Sequence, residues 1–149
     1  MLMDHRILGA VCFALAAVVF WVGFEIVMDE LGGNWAWGIC IVLAALLCGT
    51  AAGERMSYDA QTTRRNARGI IAGLLVTIAI YLLGTLFFSL WVVLGPIPAN
   101  VGTGLEGLLS VLGTSLFLGV FLLPFALVLG ALTGWLFYRI VTVWSAEDD

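Results

Sequence analysis

Glu25 is the one acidic side chain inside an apolar run that extends from Ile7 to Met28. An ionisable group at membrane depth is a candidate for proton or cation handling. At ~1.5 Å per helical residue it lies only ~5 Å inside Met28. One helical turn separates it from Trp21 on one side and from Asp29 on the other. Two readings stay open. Glu25 and Asp29 form an ion or proton site near the outer face, or Glu25 is an interfacial acid or one half of an ion pair with a partner subunit.

Other chemistry lacks its residues. The chain has one histidine, His5, so two axial histidines for a b-type haem are absent. Cys12, Cys40 and Cys48 are spaced neither as a redox pair nor with histidine as a zinc site. They read as small apolar core residues. Ser–His catalysis would need His5 to reach a serine inside the membrane, and no phosphate-binding glycine loop occurs. The sequence therefore predicts no enzyme, no cofactor and no metal.

Four arginines cluster in the only strongly polar stretch: Arg55, Arg64, Arg65 and Arg68. They suit contact with anionic lipid headgroups or with a docking partner. Three glycine pairs have the spacing that lets membrane helices approach closely: Gly49/Gly53, Gly69/Gly73 and Gly130/Gly134. Close packing is expected at those helix ends. Pro124 falls in the middle of the last apolar run and predicts a kink there.

The elements behind these residues follow from composition. Hydrophobic residues make up 62% of the 149-residue chain and charged residues 11%. A soluble domain is nearer half apolar and a quarter charged. This balance argues against a soluble enzyme, a nucleic-acid binder or a site for a soluble small molecule. Four apolar runs, at about 7–28, 35–53, 69–95 and 107–138, are each long enough to cross a hydrocarbon layer of ~30 Å. The fold expected is an all-α integral membrane protein. It is a single domain, an antiparallel up-down bundle of four transmembrane helices with a long, kinked fourth helix and a loop over 54–68. The run at 7–28 is too long for a cleaved signal peptide and is read as retained. Asp4 is placed to cap the first helix, and Thr103 to Glu106 has the form of a capping box before the fourth.

Orientation follows from charge. With four spans, the N-terminus, the 54–68 stretch and the C-terminus share one side. Arg6, Arg55, Arg64, Arg65, Arg68 and Arg139 all fall there, and the connections 29–34 and 96–106 have no arginine or lysine. Both termini are thus expected in the cytoplasm, with the protein in the plasma (inner) membrane. Trp35, Trp37 and Trp91 fall at the expected outer interface, and Trp135, Tyr138 and Trp144 at the inner one.

The opening Asp4-His5-Arg6-Ile7-Leu8-Gly9, running to Trp21, resembles the start of the small four-span subunits of tripartite tricarboxylate transporters. The second half departs from that pattern, and no site residues are carried over. The layout is also similar to that of small tellurite-resistance-associated membrane proteins. The functional expectation is a small integral subunit or accessory protein. It would scaffold or regulate a larger membrane complex, such as a transporter or an energy-converting assembly. Its partners would be the bilayer and other membrane subunits or itself. The alternative is a small oligomeric transporter or channel that uses Glu25.

Overall fold

A computed structural model describes residues 4–27, 35–63, 66–94 and 105–147. The described residues form α1 (His5–Val27), α2 (Trp35–Thr63), α3 (Asn66–Leu94) and α4 (Leu105–Glu147). All four are long and apolar enough to cross a membrane, over 22, 28, 28 and 26 residues respectively. The chain is all-helical in its described parts and suited to a multi-pass membrane bundle.

The helix ends have local causes. Asp4 caps α1: its Oδ1 accepts the Arg6 backbone N–H at 3.0 Å, and its carbonyl accepts from Leu8 at 3.0 Å. Thr103 lies outside the described residues, so only Glu106 of the expected capping box is seen, in the first turn of α4.

Residues 54–63 and 66–68 of the expected loop are helical. α2 continues to Thr63, and α3 begins at Asn66. Polarity disguises an amphipathic turn pattern. Met56, Ser57 and Ala60 are buried, whereas Glu54, Arg55, Tyr58 and Gln61 are exposed. Spacings of three and four place the buried set on one helical face. Most of these residues are also good helix formers.

α4 likewise outruns the expected span of 107–138. It has 43 residues, or ~65 Å at ~1.5 Å each. Its membrane-length part is Gly119–Trp144, and Leu105–Phe117 is a shorter apolar stretch before it. Arg139 does not end the helix, because its guanidinium lies over the Trp135 ring, 5.3 Å from the centroid. Val141 beyond it is fully buried.

α1 packs on α2, α2 on α3 and α3 on α4, with lighter contact between α1 and α4. The core is small-residue rich at mid-height, with Ala44 and Ala45 inaccessible. It is bulkier toward the arginine-bearing end, where Met56, Phe137, Tyr138 and Val141 are buried. Lipid tails are as apolar as leucine, so close van der Waals packing must hold such helices together.

Candidate functional site

Among the described residues, two glycine seams bring helix backbones into close approach. In the first, Gly9 of α1 meets Gly49 and Gly53 of α2. A Cβ at Gly9 would stand 2.5 Å from the Gly49 carbonyl oxygen, and one at Gly53 would stand 2.5 Å from that of His5. In the second, Gly69 and Gly73 of α3 meet Gly130 and Gly134 of α4. A Cβ at Gly73 would overlap the Gly130 carbonyl, and one at Gly134 would overlap that of Gly69. Side chains can move aside, but these obstacles are backbone. Beyond the second seam, the Tyr81 ring lies against Gly119. Its hydroxyl donates toward the carbonyls of Leu116 at 3.0 Å and Ser115 at 3.2 Å.

Several hydroxyls of the helices are satisfied within their own helix, whereas the buried His5 Nδ1 has no hydrogen-bond partner. Thr50, Thr77, Thr85, Ser89, Thr114 and Thr133 each donate to the carbonyl one turn earlier. Cys40 is buried, Cys12 and Cys48 are half-buried, and none is paired. No group of three or more His, Cys, Asp or Glu suited to a metal occurs among the described residues.

Glu25 sits at the far end of α1 from Asp4. Its Oε1 accepts the Trp21 indole N–H at 3.1 Å, so the carboxylate is oriented by its own helix. The indole ring itself packs directly on Gly38 of α2. Beside it, Trp37 contacts Phe24 and Phe20, with ring centroids 5.5 and 6.3 Å away. Trp35 and Trp91 meet edge to face at 6.2 Å. Asp29 lies outside the described residues.

The arginine end carries matching acids. Arg6 pairs with Glu54, bringing the start of α1 to α2. Asp59 approaches Arg68 at 3.8 Å and the Tyr138 hydroxyl at 3.5 Å, joining α2, α3 and α4. Arg55 is exposed beside the exposed Tyr58. Arg64 and Arg65 lie outside the described residues. Among these exposed pairs each contributes little on its own, and their role is to gather the helix ends.

A cleft opens at mid-height between α1 and α4, floored by α3. Its empty volume is about 550 Å³, open side included.

Spacing within one helix found Gly49/Gly53, Gly69/Gly73 and Gly130/Gly134, but not their partners. Gly9, Gly38 and Gly119 belong to no such pair. One signal existed for Gly9: it and Gly53 lie equally far along the chain from the connection 28–34. Glu54, Asp59 and Tyr138 were also missed as companions of the arginines, since their contacts join distant parts of the chain.

No family model matches this chain, and no curated protein or solved structure does either. The likeness of the opening segment to transporter subunits therefore rests on those residues alone.

Proposed function

We propose that this protein is a small integral subunit or accessory protein of the plasma (inner) membrane that scaffolds or regulates a larger membrane complex. The carrying observation is the surface of α4. Only 17% of its span is buried within the chain, against 39% for α2. Its open face is stepped by Phe117, Phe121, Phe125, Val128, Leu132 and Leu136. The preceding segment exposes Glu106, Ser110, Gly113 and Thr114 at helical spacing, and a Cβ at Gly113 would meet nothing within 4 Å. Interfaces between membrane helices favour Gly, Ser and Thr for close approach and hydrogen bonding.

The reading includes an antiparallel bundle in chain order as one membrane domain, with α4 bent at Pro124, where the Val120 carbonyl loses its helical donor. Contact order supports the antiparallel part. Gly9 meets Gly53 while Trp21 meets Gly38, and Gly73 meets Gly130 while Tyr81 meets Gly119. It also places both termini in the cytoplasm. The support is that Arg6, Arg68 and the turn holding Tyr138 and Arg139 are linked through Glu54 and Asp59. Arg55 and the adjoining Arg64 and Arg65 would then face anionic headgroups or a partner. No reaction, cofactor or nucleic acid is assigned to the chain.

Native mass spectrometry after gentle extraction from the source membrane tests this. A defined hetero-assembly is expected. A lone monomer, with no partner retained in mild detergent, would overturn the reading.

The Trp21–Glu25 bond favours one second reading, an oligomeric transporter or channel in which the oriented carboxylate binds a proton or cation. Glu25→Gln should then abolish pH-dependent flux in liposomes. Equal flux in the two proteins, or none in either, rejects it.

A further inference from the structure

We propose that the cleft between α1 and α4 holds one acyl chain of a phospholipid, taken sideways from the bilayer. The inference rests on the chain spanning a membrane, not on the identity of any partner complex.

The cleft exists because α4 is held to α3 rather than to α1. Tyr81 is hydrogen-bonded to the Leu116 carbonyl, and the Thr77 side chain abuts Gly130. Between the larger Phe13 and Phe20 on α1 and Leu122, Leu123 and Leu129 on α4, the lining steps down to Ala16, Ala17, Ala126 and Gly130.

Depth restricts what can enter. The α1 wall runs from Phe13 to Phe20, well inside the span His5–Ile26. The α4 wall runs from Leu122 to Gly130, inside the span Gly119–Trp144. Only hydrocarbon or another membrane helix is available there. A helix ~10 Å across could dock only on the open side of the cleft, whereas a single hydrocarbon chain can enter between its walls.

Chemistry then selects a plain chain over a lipid with a polar ring. The two hydroxyls on the lining are already used, Thr77 toward the Gly73 carbonyl at 2.8 Å and Tyr81 toward α4. The lining hydroxyls have no donor to spare, and the Trp37 indole, near the start of α2, is the remaining polar group of the lining. A hydrocarbon chain gains van der Waals contact with both walls and leaves no polar group unpaired.

The full-length protein should be exchanged through mild detergent and examined by native mass spectrometry with lipid identification. One retained phospholipid per chain is expected. Ala126→Phe on one wall and Ala16→Leu on the other each fill the cleft, and both should cut retention at least tenfold. Val128→Phe points to the open side of α4, where Val128 is 61% exposed, and should keep the lipid. Absence of retained lipid in the unaltered protein would overturn the proposal. So would equal retention in both filled variants, or retention of a quinone or polyprenyl lipid in place of a phospholipid.

Discussion

Gly73→Val should cost about 3 kcal/mol or more, the upper range for overpacking a closed site. At 1.4 kcal/mol per factor of ten, that lowers the folded-to-unfolded ratio about a hundredfold. The reason is the identity of the obstacle. The first atom a new Cβ meets at Gly73 is the carbonyl oxygen of Gly130, and the Cα of Gly134 follows at 3.0 Å. Neither can rotate away, so the α3–α4 seam must open along its length. Opening it also removes support from Tyr138, whose ring packs on Gly69.

Two other glycines separate this effect from a general cost of replacing glycine. A Cβ added at Gly23 or at Gly113 would meet nothing within 4 Å. Alanine there should be neutral or stabilise by about 0.5–1 kcal/mol, since it restricts the unfolded chain and favours helix. Denaturant titration in detergent micelles reads all three variants. Equal midpoints for Gly73→Val and Gly113→Ala would show that the seam does not hold the helices.

Membrane character was legible because it is local. Runs such as Ile7–Met28 and Gly69–Gly95 need only length and apolarity. The absence of arginine and lysine from 29–34 and 96–106 is equally plain. What failed had non-local or disguised causes. Glu54 to Thr63 looked like a loop because its mean polarity is high, while its burial pattern of Met56, Ser57 and Ala60 is helical. Composition averages away a periodicity that only a partner surface makes meaningful. The candidate site divides the same way. The glycine pairs were visible one helix at a time. Gly9, Gly119 and the Asp59 contacts depend on which helices face each other and in what register. That register is decided by the seams themselves.

Tyr81 and Gly119 offer the sharpest test of that register. Tyr81→Phe should cost about 0.6 kcal/mol, the average for a side-chain hydrogen bond between membrane helices. The carbonyls of Ser115 and Leu116 keep their own helical donors, so little is left unpaired. Gly119→Ala should cost more, about 1–3 kcal/mol. Its methyl would occupy the place of the Tyr81 hydroxyl, with the ring close behind, so the phenol must swing out and lose its bond. The two effects share one space and cannot add. In a Tyr81→Leu background, Gly119→Ala should be nearly free, giving a coupling of about 1–3 kcal/mol in a double-mutant cycle. Additive costs would mean that α4 does not meet α3 at this level. Tyr81 also floors the cleft, so a ring displaced by Gly119→Ala would lower lipid retention as well as stability. A glycine substitution acting only through helix propensity would change stability alone.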